Sequence, residues 1–211
     1  MTAVGLLYPG EMGALVAAAC NADVIWVSAG RSDATCARAD ALGLTDAGTL
    51  AELVARSDIV LSICPPAIAE ETAREVAAAG FDGLYVDANA ISPARAKRIA
   101  TLFERTVDGS IVGRETIHLY LSGNRGDMDE IAALFDPDLL VAIPLDGGIG
   151  AASAMPSRVG TRSGSRSLPS RTPWLAPGAS KRRSPPRGSS RWDAHRDADI
   201  PLEQLLDDLR E

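Results

Sequence analysis

The sequence predicts an α/β fold with a doubly wound, mainly parallel sheet, and three observations support this prediction. Short apolar runs alternate with helix-forming stretches over residues 1–150. Hydrophobic residues make up 46% of the chain but aromatic residues only 4%, a composition that suits small helices packed closely on a buried sheet. A turn containing glycine follows the first apolar run, as in nucleotide-binding sheets of the Rossmann type.

The short apolar runs are the predicted strands, and turn residues mark their ends. Pro9-Gly10 ends the first run, and Cys64-Pro65-Pro66 ends another because consecutive prolines cannot donate sheet hydrogen bonds. We expect strands at residues 2–8, 24–27, 58–63, 83–87, 106–108, 117–121 and 139–143. We expect helices at residues 12–20, 49–56, 67–79, 93–104 and 127–135, and one more from Ser32 to about Leu42.

The charge is unevenly distributed along the 211 residues. Residues 1–155 contain 10 Lys and Arg against 21 Asp and Glu, whereas residues 156–191 contain 9 Lys and Arg and no acidic residue. This basic tract is rich in Ser, Pro and Gly and has no apolar periodicity, which is typical of disorder. We therefore expect a nucleotide-binding domain at 1–150, a disordered tract at 151–191 and an acidic tail with a short helical pattern at 192–211.

The turn after the first strand is the strongest local signal of function. It contains the second and third glycines of a G-x-G-x-x-G pattern, Gly10 and Gly13, whereas Tyr8 occupies the first position. In such turns the second glycine lets the backbone approach a pyrophosphate, and the third lets the helix pack closely on the sheet. The pattern predicts a dinucleotide site, although glycines in the first turn of an α/β protein also have a purely structural interpretation.

The residues after the second strand indicate which dinucleotide is bound. An NAD site usually has an acidic residue here that binds the ribose 2′-hydroxyl, but this chain has Ser28-Ala29-Gly30-Arg31-Ser32. Hydroxyls and a guanidinium suit a 2′-phosphate. NADP is therefore preferred to NAD, which the turn does not exclude, and a solvated surface arginine is the alternative interpretation of Arg31.

Four blocks of sequence together resemble the superfamily of 6-phosphogluconate and 3-hydroxyisobutyrate dehydrogenases, the β-hydroxyacid dehydrogenases. They are the first turn with Gly10, Met12 and Gly13, the Arg31 turn, Cys64-Pro65-Pro66, and the segment from Asp87 to Pro93. The resemblance covers about residues 2–155. It implies a dinucleotide-binding Rossmann domain and hydride transfer between nicotinamide and a small β-hydroxyacid.

The resemblance also implies the residues of the site. We expect the cofactor to be contacted by Tyr8, Pro9, Gly10, Glu11, Met12, Gly13, Ser28, Arg31, Cys64, Pro65, Pro66 and Asn89. We expect the substrate to be contacted by Asn89, Ala90 and Gly113. Residues 107–113 resemble the substrate-binding loop of the superfamily, but Arg114 stands where a second glycine is usual. Ser92 and Pro93 also have a structural interpretation, as the cap and first residue of a helix.

The sequence departs from the superfamily after Met155. The resemblance places a lysine that acts as acid and base at the next position, but this chain has Pro156, and we assign no catalytic residue. The basic tract then replaces the all-helical domain that closes the active site and usually forms a dimer, so we expect that dimer to be lost. Our hypothesis is that the reading frame changes near codon 156, because out-of-frame translation of a GC-rich gene yields Arg, Ser, Pro and Gly.

The remaining functional classes receive little support. A non-catalytic, nucleotide-responsive protein whose basic tract contacts nucleic acid or an acidic partner is the alternative, but only Trp174 and Trp192 accompany the cations, which disfavours base stacking. His118 and His195 lack partners at metal-ligand spacing, and we predict no metal site. No apolar run of about 18 residues occurs. We therefore expect no membrane span and a cytoplasmic location.

Overall fold

The computed structural model describes residues 2–113 and 117–155. The predicted basic tract and acidic tail, residues 156–211, lie outside the described residues. The strands are β1 (Ala3–Leu7), β2 (Asp23–Trp26), β3 (Thr45–Asp46), β4 (Ile59–Ser62), β5 (Leu84–Asp87), β6 (Arg105–Val112), β7 (Ile117–Gly123) and β8 (Leu140–Pro144). The helices are α1 (Glu11–Ala18), α2 (Asp33–Ala41), α3 (Leu50–Arg56), α4 (Ala69–Ala78), α5 (Pro93–Ala100) and α6 (Arg125–Ala132).

All eight strands form one sheet in the order β3-β2-β1-β4-β5-β6-β7-β8. The first six strands run parallel to one another, β7 is antiparallel to β6, and β8 is parallel to β7. The chain moves outward in one direction from β1 to β3 and then in the other from β4. The predicted doubly wound, mainly parallel Rossmann sheet is confirmed, and its switch point lies between β1 and β4.

A hydrophobic core lies on each face of the sheet because neighbouring residues of a strand point to opposite sides. One core contains Leu6 of β1 and Val86 of β5, while the other contains Leu7 and Tyr85 from the same two strands. Helix alanines take part in this packing, since Ala69 and Ala73 of α4 belong to the second core and are fully buried. Small helix residues therefore bring the helices close to a sheet that is apolar on both sides.

Two strands differ from the sequence prediction. The two-residue strand β3 was not expected, and it forms because Thr45 pairs with Ile25 and Asp46 with Trp26. Strand β6 was expected at residues 106–108 but extends to Val112. Residues 105–108 pair with β5 and residues 107–112 pair with β7, so the pairing continues beyond the predicted end of the strand. Within the described ranges, no helix is both long and apolar enough to cross a membrane.

Candidate functional site

The first turn joins β1 to α1 through a backbone conformation that favours glycine. Tyr8, at the position of the first motif glycine, has a φ of 67° and accepts a hydrogen bond from the amide of Gly10 at 2.8 Å. A Cβ added at Gly13 would lie 2.5 Å from the carbonyl oxygen of Tyr8. Gly13 therefore permits the close contact between turn and helix that the motif predicts.

The start of α1 is open around Gly10. Among the described residues, a Cβ added at Gly10 would meet no atom within 4 Å, and no side chain caps the helix. Side chains do cap four other helices, at Ser32, Thr49, Ser92 and Asn124. Since the first amides of a helix have no partner within it, those of α1 are available to an anionic ligand.

Arg31 lies against the first turn. The four residues Ser28–Arg31 form a turn in which Gly30 has a φ of 74° and the amide of Arg31 donates to the carbonyl of Ser28 at 3.0 Å. The guanidinium carbon of Arg31 lies 3.6 Å from the centroid of the Tyr8 ring, and Nε of Arg31 is buried with no hydrogen-bond partner in the described part of the chain. The two predicted cofactor residues are thus in direct contact, with the cation over the aromatic face.

Asp46, which the sequence analysis did not assign, binds Ser28. Its carboxylate accepts hydrogen bonds from the hydroxyl of Ser28 at 2.6 Å and from the backbone amide of Ser28 at 3.1 Å. These hydrogen bonds, with one from the amide of Gly48, hold the pKa of Asp46 below its usual value of 3.8. The turn after β2 contains no acidic residue of its own. An ionised carboxylate nevertheless lies beside it, because Asp46 of β3 binds Ser28.

Two clefts open at the carboxyl ends of the parallel strands. The first, about 360 Å³, is lined by residues of the first turn together with Arg31, Cys64 and Pro65. The second, about 280 Å³, is lined by Met12, Ile63, Cys64, Pro66, Ala88, Asn89, Ala90, Ile91, Ser110, Ile111, Ser153 and Met155. Met12, Ile63 and Cys64 line both clefts. A ligand that extends from one cleft to the other would pass these residues.

Asn89 holds the strand ends between the clefts. Its Oδ1 accepts the amide hydrogen of Cys64 at 2.6 Å, and its Nδ2 donates to the hydroxyl of Ser62 at 3.2 Å. The residue is only 3% exposed. The oxygen and the nitrogen of this side-chain amide therefore both bind other residues of the protein. At the neighbouring Cys64, burial raises the pKa of the thiol, which stays neutral.

Asp108 fastens the last described segment to the sheet. Its carboxylate accepts hydrogen bonds from the amides of Gly150 and Ser153 and from the hydroxyls of Ser122 and Ser153. Residues 150–153 are thereby held at the second cleft, which Ser153 and Met155 line. Gly113, predicted from the substrate loop, follows β6 with a φ of 121° and lines neither cleft.

Five buried polar side chains, Ser62, Asp87, Asn89, Asp108 and Ser122, form what we call the polar floor. Asp87 lies opposite Asp108 in neighbouring strands and accepts the amide hydrogen of Asn89 at 3.0 Å through Oδ1. Its Oδ2 has no hydrogen-bond partner within residues 2–113 and 117–155. Burial, assisted by the charge of Asp108, raises the pKa of Asp87 from 3.8 to about 6. The floor thus contains a carboxyl group that titrates just below neutral pH.

Solved structures resemble this chain over most of the described part. A conserved protein of unknown function, reported to be structurally similar to 3-hydroxyacid dehydrogenases, is 26% identical with a TM-score of 0.64, and the match covers 72% of this chain and 61% of that one. The 3-hydroxyisobutyrate dehydrogenase of Mycobacterium tuberculosis, solved with L-serine, is 22% identical with a TM-score of 0.62, covering 73% and 57%. The described part of this chain therefore has the same fold as these dehydrogenase-like structures.

Other comparisons define the extent of that similarity. An imine reductase from Myxococcus stipitatus, solved with NAD⁺, has the same fold with 23% identity and a TM-score of 0.60, covering 73% of this chain and 57% of its own. The chain spans 57–61% of the length of these three structures. No protein-family model and no curated protein matches the chain.

The structure brings together most of the superfamily residues that the sequence predicted. The first turn, Arg31 and the Cys64–Pro66 segment lie around the two adjoining clefts. Sequence reasoning missed Asp46 and Asp108. Asp108 gave a detectable signal, since it is an acidic residue inside a predicted strand and such a residue requires hydrogen-bond donors when it is buried.

Proposed function

We propose that this domain binds a nicotinamide dinucleotide at the carboxyl ends of its parallel strands, with NADP(H) preferred to NAD(H). One observation carries the proposal, namely the open, uncapped start of α1 at Gly10, beside which Arg31 lies over the ring of Tyr8. The open space admits a diphosphate to the helix amides. The guanidinium supplies charge-assisted hydrogen bonds to a 2′-phosphate.

The nicotinamide end of the cofactor belongs in the second cleft. The cleft lies next to the first turn and shares Met12 and Cys64 with the first cleft. Asn89 positions the Cys64 segment through its amide, and Arg95 adds a hydrogen bond from Nη1 to the carbonyl of Pro66 at 2.6 Å. When bound, the cofactor supplies hydride chemistry, and these residues orient it and exclude water.

The proposal has a second part, which is that catalysis by this chain is impaired. In the superfamily a lysine follows the segment that corresponds to residues 150–155, whereas proline at position 156 has no titratable side chain. Burial raises the pKa of Asp87 to about 6, but this carboxyl is only 1% exposed and its Oδ1 accepts the amide hydrogen of Asn89. We therefore expect cofactor binding with little turnover of small β-hydroxyacids.

Titration of the purified full chain with NADPH and with NADH, followed by nicotinamide fluorescence, tests the binding. We expect NADPH to bind in the micromolar range and Arg31→Ala to weaken it by about tenfold, since hydrogen bonds between charged groups typically contribute about 1.5 kcal/mol or more. NADH binding is expected to change less, because it has no 2′-phosphate. Absence of binding by both dinucleotides would overturn the proposal.

Turnover is measured separately by incubating the chain with NADP⁺ and L-serine or 3-hydroxyisobutyrate and recording nicotinamide absorbance. We expect no NADPH above the background of a reaction without protein. Sequencing the gene around codon 156 tests the reading-frame hypothesis. Rapid NADPH formation would contradict the proposed impairment, and an intact reading frame would contradict the hypothesis about its origin.

A further inference from the structure

Asp46 is bound rigidly beside the turn that follows β2. The pairing of β3 with β2 places Asp46 opposite Trp26, and the amide of Ala47 donates to the carbonyl of Trp26 at 2.7 Å. The amide of Gly48 donates to Oδ1 of Asp46 at 2.9 Å. Backbone pairing and a tight turn therefore fix the carboxylate next to Ser28.

The carboxylate occupies both hydrogen-bond donors of Ser28. The hydroxyl donates to Oδ2 at 2.6 Å and the backbone amide to Oδ1 at 3.1 Å. A hydroxyl has a single proton to donate. A 2′-phosphate that approached Ser28 would have to displace Asp46 from this proton, and it would meet the charge of an exposed carboxylate while doing so.

Arg31 does not neutralise that charge. Among the described residues, neither Arg31 nor Asp46 belongs to an ion pair with nitrogen and oxygen within 4.0 Å. The guanidinium lies instead over the Tyr8 ring. The same turn thus presents one cation that attracts a phosphate and one anion that repels it.

We propose that Asp46, a residue of β3, is a specificity-determining residue that opposes Arg31 at the dinucleotide site. It keeps Ser28 from a 2′-phosphate and repels that phosphate, so the chain binds NADPH only a few-fold more tightly than NADH. The inference rests on the proposed function and refines its cofactor preference. It concerns discrimination between the two dinucleotides, not whether a dinucleotide binds.

The test is Asp46→Asn, which removes the charge and retains an oxygen that can accept the backbone hydrogen bonds. Removing a charge a few ångströms from a phosphate is expected to strengthen NADPH binding by about tenfold at low salt. NADH binding should change by less than about twofold, because the repelled group is absent. Since added salt screens exposed charges, the gain in NADPH affinity should shrink at high ionic strength.

The matched control is Asp23→Asn, which makes the same charge change at the exposed start of β2, the opposite end of the strand. It should alter the Kd of neither dinucleotide by more than about twofold. Thermal unfolding of each variant monitors the fold. If Asp46→Asn lowers the midpoint, Asp46→Ser, which can still accept the Gly48 amide hydrogen, provides the same comparison.

A second variant separates the role of Ser28. In the wild-type chain Ser28→Ala should leave the Kd for NADPH nearly unchanged, because Asp46 already holds the hydroxyl. In the Asp46→Asn background the same change should weaken NADPH binding by about threefold, as expected for one hydrogen bond to a charged ligand. Equal effects of Ser28→Ala in the two backgrounds would overturn the inference.

The outcomes distinguish this inference from the proposed function. If the wild-type chain binds both dinucleotides and Asp46→Asn leaves the ratio of their Kd values unchanged, the inference is wrong and the proposed function stands. If the wild-type chain binds neither, the proposed function is wrong and the inference falls with it. A selective gain for NADPH that declines with salt supports both.

Discussion

Around Tyr8 and Arg31 the candidate site consists of partly exposed turns, whereas around Asn89 and Asp108 it consists of buried polar side chains bonded to one another. Arg31 rests on an aromatic ring and Ser28 is bound by the exposed carboxylate of Asp46. In the polar floor, Asn89 is 3% exposed and Asp108 only 1%. The difference implies that changes in the floor affect stability first, while changes in the turns affect ligand choice.

The largest expected effect comes from Asp108→Ala in the floor. The change leaves four donors of Ser122, Gly150 and Ser153 without their acceptor, and we expect it to lower the free energy of unfolding by about 3–5 kcal/mol. Urea unfolding of the full chain measures this decrease in the free energy of unfolding. The control Asp146→Ala removes an exposed aspartate and should stay within about 0.5 kcal/mol of wild type. Equal stability of the two variants would remove the distinction between floor and turns.

Asp87→Asn is expected to stabilise the protein at neutral pH. The pKa of Asp87 is raised from 3.8 to about 6, so between these values the folded chain binds a proton that the unfolded chain has released. Stability from this group is therefore fully present below pH 3.8, falls as the pH rises through about 6 and is lost above it. The decrease in the free energy of unfolding over this whole pH range corresponds to about 3 kcal/mol.

Urea unfolding of wild type and Asp87→Asn on both sides of that window measures the effect. The asparagine can still accept the amide hydrogen of Asn89 through its oxygen, but it carries no charge. We expect the variant to lack the decline in stability and to be the more stable protein at neutral pH. Parallel pH profiles for the two proteins would contradict the raised pKa.

The glycines of the first turn provide a matched pair. A methyl group at Gly13 would collide with the carbonyl of Tyr8, whereas a methyl group at Gly10 would meet no protein atom. We expect Gly13→Ala to destabilise the chain by about 1–3 kcal/mol. Gly10→Ala should leave thermal stability unchanged and still weaken dinucleotide binding, because the methyl group fills the space of the diphosphate. Unchanged NADPH affinity in Gly10→Ala would place the diphosphate elsewhere.

The smallest expected effect concerns the ring beneath Arg31. Tyr8→Leu removes the aromatic face, and a cation–π contact at a partly exposed site contributes about 0.5–1 kcal/mol. We expect the Kd for NADPH to rise by about threefold, measured by fluorescence titration. Tyr8→Phe keeps the ring and should bind like wild type. If Tyr8→Phe binds as weakly as Tyr8→Leu, the phenolic hydroxyl matters and the aromatic face does not.

The parts of the molecule that the sequence predicted are those governed by neighbours in the chain. Apolar runs marked the longer strands, and Gly10 and Gly13 marked the first turn, because both signals depend on local spacing. Ser92 was expected to cap a helix that begins at Pro93, and its hydroxyl does accept the amide hydrogen of Arg95. Local physical chemistry is sufficient for such features.

The parts that were missed depend on contacts between distant residues. Asp46 lies 18 residues from Ser28, and only the two-residue strand β3 brings them together. Asp108 lies 42 residues from Gly150 and 45 from Ser153, so neither spacing nor periodicity connects them. A strand of two residues has too few side chains to give a period, and hydrogen bonds over such separations follow from the tertiary fold.

The attachment of residues 150–153 to Asp108 has a consequence for how such a gene can change. The described donors to that carboxylate belong to Ser122, Gly150 and Ser153, which precede position 156, where the sequence becomes basic and rich in serine and proline. The sheet, both cores and both clefts are likewise built from earlier residues. Every strand of the described sheet therefore lies before the point beyond which a change of reading frame would rewrite the chain.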